Sequence, residues 1–271
     1  MADKNCLSSV GLAIGLPFIG RPVSPEWAIS FSSQNYPMNI RRSLSALKGE
    51  EIGKARNKMV HAARQHGAKY LWFLDDDVAP PFHAIRSLIT TLENASHDVM
   101  VAGGIYCAKT LPTEPVVFRG NGVGAFWQWK HGDVFECTGI GTGCMLIKME
   151  VFDHLPEPWF KTIDTDGTPE QPILQETDDM YFCDAVIDKG FKILADTNVM
   201  CIHWGYDEKK KEFIPYMLPA DSYPMRYPSE EEPRASRVYK AASVDGNRGT
   251  QPLGSAEEES RRAENEQVPA A

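Results

Sequence analysis

Apolar positions in the first hundred residues fall into two alternating textures, short unbroken runs and longer stretches with helical spacing. The run "SSVGLAIGL", residues 8–16, suits a buried strand, and "PFIGRP" reads as the loop at its carboxyl end. Ser24 then stands where a helix N-cap is expected, with Pro25 in the first helical position. "MNIRRSL" is a weaker strand candidate. "GEEIGKARNKMVHAARQHG" predicts a helix with Ile52, Ala55, Met59 and Ala63 on one face and Gly67 ending it. "YLWFL", Tyr70 to Leu74, is apolar on both faces, as interior strands of a parallel sheet are. "PPFHAIRSLITTLENAS" predicts a helix with Phe82, Ile85, Leu88, Ile89 and Leu92 inward, followed by the strand "DVMVAGGIY". Strands alternating with helices define an α/β chain with a doubly wound, mostly parallel sheet.

After Tyr106 the texture changes to a proline-rich loop and then to aromatic segments punctuated by glycine. The turn "KHGD" between two apolar runs predicts a hairpin, a small antiparallel addition to the parallel core. "TDDMYFCDAVIDKG" predicts a helix with Thr177 as N-cap and Gly190 past its end, leading to the strands "FKILAD" and "NVMCIHWG". From residue 227 to 271 the composition is Glu, Arg, Ser, Pro and Gly without apolar periodicity, so a disordered tail is expected after a single domain over residues 1–226.

Composition narrows the function. A formal charge of −9 disfavours a broad phosphate-gripping surface, so nonspecific nucleic-acid binding is not expected. The six cysteines form no CxxC pair, which reads as a reduced, cytoplasmic protein. No apolar stretch approaches the ~20 residues of a membrane span.

The strand "YLWFL" runs directly into Asp75, Asp76 and Asp77. Three adjacent carboxylates repel one another and need positive charge nearby. Strand alternation would turn Asp75 and Asp77 to one side, toward a shared cation, with Asp76 facing away or toward a sugar. They stand at the strand edge where open α/β sheets bind ligands. Oxygen donors in this number suit Mg²⁺ or Mn²⁺, whose shell is completed by substrate phosphates and water. A solvated acidic turn capping the next helix is the alternative. For Arg56 and Asn57 the alternatives are a solvated helix face and hydrogen bonds to a base or diphosphate. For Asp178 and Asp179 the helix dipole explains acidic residues in a first turn without any catalysis. Trp127, Trp129 and Trp159 can stack on sugar faces or pack in the interior. The glycines of "GIGTG" suit close backbone approach to a sugar better than a phosphate loop, since no helix begins there.

"KYLWFLDDDVAPP" resembles the Asp-x-Asp motif of nucleotide-sugar-dependent glycosyltransferases of the GT-A (Rossmann-like) fold, in particular the family-two-like enzymes of bacterial and phage genomes. "GKARNKMVHAA", "GTGCMLIKMEVFDHL" and "ETDDMYFCDAVIDKGFKILAD" resemble three further segments of that group, in the same order. The resemblance covers about residues 10–205. It implies a nucleotide-sugar half (8–106), an acceptor half (107–205) and transfer of a hexose from a nucleotide-diphosphate sugar to a hydroxyl. It also implies Asp75, Asp77 and His203 as metal ligands, and Pro17, Arg21, Arg56, Asn57, Asp75 and Asp76 on the donor side. Asp179 matches the base that deprotonates the acceptor in inverting members. Asp178, where the group usually has Glu, is then an acceptor contact. The acceptor class stays open among glycans, lipid-linked intermediates, protein side chains and nucleobases. Two other readings are a sugar-phosphate nucleotidyltransferase, for which "LPFIGRP" is a poor glycine-rich loop, and a non-catalytic carbohydrate- or metal-binding module on the same fold.

Overall fold

The structure is a computed structural model that describes residues 11–120, 124–163 and 176–218. The expected tail (227–271) and the first residues of the expected opening strand lie outside the described residues. In chain order the elements are β1 (Leu12–Phe18), α1 (Pro25–Ser32), β2 (Arg42–Lys48), α2 (Ile52–Gln65), β3 (Tyr70–Leu74), β4 (Val78–Ala79), α3 (Ala84–Asn94) and β5 (Val99–Ile105). There follow β6 (Val117–Phe118), β7 (Val134–Cys137), β8 (Gly139–Ile140), β9 (Cys144–Lys148), a 3₁₀ turn (Met149–Asp153), α4 (Asp178–Asp188), β10 (Lys192–Met200), β11 (Ile202–Asp207) and β12 (Glu212–Tyr216).

The central sheet has seven strands in the order β2-β1-β3-β9-β5-β10-β7. β2, β1 and β3 pair in parallel, as do β5 and β10, while β9 runs antiparallel between β3 and β5, and β7 lies antiparallel on β10. β9 and β10, from the expected acceptor half, thus stand in the same sheet as β1 and β3 from the donor half. Helices cover both faces. Met59 and Ala63 of α2 and Phe182 and Val186 of α4 join Leu71 and Phe73 in one core cluster. Trp27 of α1 and Ile85, Leu88 and Leu92 of α3 join Tyr70, Trp72 and Leu74 in the other. Consecutive residues of β3 therefore feed opposite clusters, which is why that strand is apolar throughout.

Local sequence signals account for the helix ends. Ser24 caps α1 by accepting a bond from the Trp27 N–H at 3.0 Å, and Pro25 opens the helix. Gly67 and Gly190, with φ of 63° and 82°, adopt the left-handed conformation that ends α2 and α4.

Three expectations fail for identifiable reasons. Pro17 lies inside β1, buried, and not in the following loop, because the apolar run continues through Phe18 in register with β2. α3 starts at Ala84 and leaves Phe82 60% exposed, because residues 80–83 turn before the helix begins. "KHGD" makes a turn, with the Asp133 N–H donating to the Lys130 carbonyl, but no hairpin. Its downstream arm, β7, finds its partner in β10. The preceding aromatic segment forms no strand among the described residues.

Gly141 and Gly143 of "GIGTG" make room for Tyr106, while a Cβ on Gly139 would meet Met180 Sδ at 2.8 Å. A Cβ on Gly141 would fall 2.0 Å from the Tyr106 hydroxyl, and one on Gly143 would fall 2.9 Å from Tyr106 Cζ and 2.8 Å from Val78. The Gly143 N–H donates to the Tyr106 hydroxyl at 3.3 Å. Gly141→Ala is expected to destabilise the domain by about 1–3 kcal/mol, the usual cost of overpacking. Chemical denaturation of the two proteins checks this, and Tyr106→Phe in the same background should not restore the loss, because the ring as well as the hydroxyl blocks the new methyl.

Candidate active site

β1, β3, β5 and β10 all run toward one edge of the sheet, and the charged residues of the chain's centre gather there. β3 ends at Leu74, so its alternation stops before the aspartates begin, and residues 75–78 form a turn with the Val78 N–H donating to the Asp75 carbonyl at 3.2 Å. Neighbouring elements hold this turn by its backbone. The Trp27 indole N–H of α1 donates to the Asp75 carbonyl at 2.7 Å, and the Trp204 N–H of β11 donates to the Asp77 carbonyl at 2.7 Å. On the chain just beyond, Gln34 Nε2 donates to the Pro81 carbonyl at 2.9 Å.

The three carboxylates then take different partners. Asp75 Oδ1 accepts from Arg56 at 2.8 Å. Asp76, 2% exposed, accepts the Ile19 N–H at 3.2 Å and faces Arg21 at 3.4 Å, so it closes the loop after β1 onto the turn. Burial raises its pKa while Arg21 and the Ile19 N–H pull it back. Asp77 pairs with both Arg21 and Lys109. The expected convergence of Asp75 with Asp77 is therefore replaced by a grouping of Asp76 with Asp77 on Arg21, because a turn, and not an extended strand, carries all three.

His203 reaches the same place through β11. β11 pairs antiparallel with β4, with His203 opposite Val78, and this register sets the imidazole Nε2 3.3 Å from Asp77 Oδ2. Nδ1 lies 2.7 Å from the Cys107 carbonyl, an acceptor only, so Nδ1 carries the proton and Nε2 presents a lone pair. Burial, helped by the neighbouring Lys109, lowers the His203 pKa to about 4, which leaves the ring neutral at pH 7. A neutral nitrogen lone pair facing a carboxylate oxygen, with the far ring nitrogen anchored on a carbonyl, is the donor arrangement of a metal-binding histidine. Asp77 and His203 fit a divalent ion such as Mn²⁺, which accepts both oxygen and imidazole. Asp75 does not complete the set: among the described residues no three carboxylate, imidazole or thiol groups gather closely enough to hold an ion.

Arg56 has a different place from the one expected. It is 3% exposed, and its guanidinium spans Asp75 and Asp178, with NH1 2.5 Å from Asp178 Oδ2. Burial opposes its charge, but the carboxylates of Asp75, Asp178 and Asp179 outweigh burial and raise its pKa further. With both amino groups engaged it is a clamp between β3 and α4. Asp178, 5% exposed, is the other jaw of that clamp, with Oδ2 taken by Arg56. Asn57 is likewise committed. Its Nδ2 donates to the carbonyls of Gly53 (2.8 Å) and Phe160 (2.7 Å), and its Oδ1 accepts the N–H groups of Trp159 (2.9 Å) and Phe160 (3.2 Å). These bonds use the full hydrogen-bonding capacity of the amide, so Asn57 pins the chain around residue 160 to α2 and has nothing left for a ligand. Both residues were legible as polar positions on a helix, but their burial depends on segments a hundred residues away.

Asp179, next to the clamp, is half-buried. Its Oδ1 accepts from the Thr177 hydroxyl and, at 3.0 Å, from the Met180 N–H. Trp159 is a core residue, donating to the Leu155 carbonyl at 3.2 Å. Trp129 donates to the Phe126 carbonyl, and Trp127 is the exposed member, at 42%. Lys109, Tyr106 and Trp27 were not anticipated. The edge rule could have found Lys109, because it follows the end of β5 by four residues.

No protein-family model matches the chain, and no curated protein matches it in sequence. Among solved structures, A197 from STIV is similar with a TM-score of 0.53 over 76% of this chain and 94% of that chain, at 18% identity. GalNAc-T7 with UDP, GalNAc and Mn²⁺ is similar with a TM-score of 0.47 and 11% identity, over 74% of this chain. The match spans 44% of GalNAc-T7. The likeness to A197 is one of fold. The mixed α/β architecture, a mostly parallel seven-stranded sheet with antiparallel additions, is GT-A-like, as the sequence motifs imply.

Asn57→Ala is expected to cost about 2–3 kcal/mol by leaving buried backbone groups unpaired, which lowers the melting temperature by roughly 5–10 °C for a domain of this size. Affinity for any nucleotide ligand, measured below the melting transition, should stay within about twofold of the parent protein, because the amide faces only backbone.

Proposed function

We propose that the chain is a metal-dependent glycosyltransferase that moves a hexose from a nucleotide-diphosphate sugar to a hydroxyl acceptor. The observation that carries this reading is the meeting of Asp77 and His203, with Nε2 3.3 Å from the carboxylate, at the end of β3. Beside them Arg56 ties the start of α4, and with it Asp179, to Asp75. A donor-side charge cluster and a carboxylate for the acceptor thus share one sheet edge.

In this reading Asp77 and His203 hold Mn²⁺ or Mg²⁺, and the ion stabilises the negative charge that develops on the leaving diphosphate. Asp76 and Arg21 keep the loop after β1 closed on the turn, so that the nucleotide end of the donor has a fixed wall. Asp179 takes the proton of the acceptor hydroxyl on Oδ2, since Oδ1 already accepts two hydrogen bonds. Arg56 and Asp178 do not touch substrate. They fix the distance between Asp179 and the β3 turn. A nucleotidyltransferase is disfavoured because the described loop after β1 offers one cation, Arg21, and that cation is turned onto Asp76 and Asp77. The acceptor is a glycan, a lipid-linked intermediate, a protein side chain or a nucleobase.

The reading is tested by incubating the protein with a panel of UDP-, GDP- and dTDP-sugars, Mn²⁺ and candidate acceptors, and measuring released nucleoside diphosphate. Asp179→Asn is expected to lower acceptor-dependent release at least a hundredfold while leaving donor and Mn²⁺ affinity unchanged, the usual scale for losing a general base. Retention of most of the rate would leave Asp179 a helix-cap residue. Asp77→Ala and His203→Ala should each weaken Mn²⁺-dependent donor binding, and the double variant should cost clearly less than the sum of the two. Calorimetric titration of the four proteins provides that comparison, and strict additivity would remove His203 from the ion site.

A further inference from the structure

Lys109 is a cation that the reading above does not use. It lies at the base of a closed excursion of chain after β5, where the Ala108 N–H donates to the Glu114 carbonyl at 2.8 Å and Cys107 bridges to Pro115. The tip beyond it is open, with Leu111 88% exposed, while the Lys109 side chain is only 24% exposed and turned inward onto Asp77 Oδ2. That same oxygen faces His203 Nε2 at 3.3 Å and pairs with Arg21. One carboxylate oxygen therefore has three nitrogen partners on three segments, the loop after β1, the loop after β5 and β11. Two of these nitrogens are cationic and occupy Oδ2, the oxygen that faces His203 and that an ion shared with the imidazole would bond.

Arg21 has a second carboxylate, Asp76, and keeps a partner if it leaves Asp77. Asp77 is the one carboxylate with which Lys109 forms an ion pair among the described residues, so an ion that takes Asp77 sets Lys109 free. A released ammonium on a short, anchored stretch of chain stays within side-chain reach of the ion; Asp75 and Asp76 are already paired with Arg56 and Arg21, so a diphosphate bound to that ion is a new anion for it to join.

We propose that Lys109 is an exchangeable counter-ion that occupies Asp77 in the ion-free protein, yields that carboxylate to a divalent cation, and then binds the diphosphate of the donor. This rests on the glycosyltransferase reading and deepens it. Metal and diphosphate then bind cooperatively. Each draws Lys109 in the same direction, the metal by taking its carboxylate and the diphosphate by offering anionic phosphate oxygens in its place, and such coupling is reciprocal.

The test uses Mn²⁺ alone, UDP alone and both together, titrated by calorimetry into the full chain and its Lys109→Gln, Lys109→Arg and Asp77→Asn variants. Lys109→Gln is expected to bind Mn²⁺ alone about fivefold more tightly, the scale of one partly exposed ion pair. It should bind UDP in the presence of Mn²⁺ several-fold more weakly, and so lose the cooperativity between the two ligands. Lys109→Arg, which keeps the charge, should retain that cooperativity. If Asp77→Asn abolishes Mn²⁺ binding but Lys109→Gln leaves both Mn²⁺ affinity and the coupling unchanged, the exchange is refuted and the metal-site reading stands. If Mn²⁺ binding is indifferent to Asp77→Asn, the metal-site reading fails and the exchange falls with it.

Discussion

The guanidinium of Arg56 lies buried between Asp75 and Asp178, two carboxylates separated by about half the domain in sequence, and the geometry of the sheet edge depends on it. Removing the cation would leave Asp178, 5% exposed, as a buried charge without its partner, a loss of about 3–5 kcal/mol when such pairs are broken from one side. The pair therefore sets position more than it adds net stability. It joins α4, which packs on one side of the sheet, to the turn at the end of β3. With Asn57 one residue later pinning the chain around residue 160, a single turn of α2 holds two distant segments of the second half of the chain.

Around this clamp the edge is arranged by charge compensation. Asp75, Asp76 and Asp77 do not share one partner. Asp75 is neutralised by Arg56, while Asp76 and Asp77 share Arg21, to which the Ile19 N–H adds at Asp76 and Lys109 at Asp77. The crowding is mutual. Burial, with Arg21 next to it, lowers the Lys109 pKa to about 8. Three adjacent aspartates are tolerable because the turn splays them toward cations on three separate elements, a distribution that an extended strand would not permit. The backbone bonds from Trp27 and Trp204 hold the turn in that shape.

Much of the fold follows from periodicity. The two-sided apolar run of β3, the amphipathic faces of α2 and α3, the Ser24 cap and the terminating glycines at 67 and 190 are local signals, and the structure follows them. Where local reading failed, an alternative partner was available elsewhere in the chain. β7 could have closed a hairpin on the aromatic segment before it, yet pairs with β10, and β9 inserts antiparallel between β3 and β5. No nearest-neighbour pattern distinguishes these pairings, since an apolar strand of four or five residues fits many edges.

The sequence by itself determined that the chain is α/β and that a buried strand ends in three carboxylates that need positive charge nearby, with candidate charged and imidazole residues on both sides of them along the chain, because these depend on spacing and residue type alone. Only the tertiary structure decided which of those residues face one another. Asp77 and His203 meet because β4 and β11 pair in a register that sets Val78 opposite His203. Arg56, Asn57 and Asp178 become internal supports because segments remote in sequence close over them. Burial is a property of the assembled layers: a polar residue on a helix reads the same whether solvent, substrate or another part of the chain will cover it, and only packing settles which.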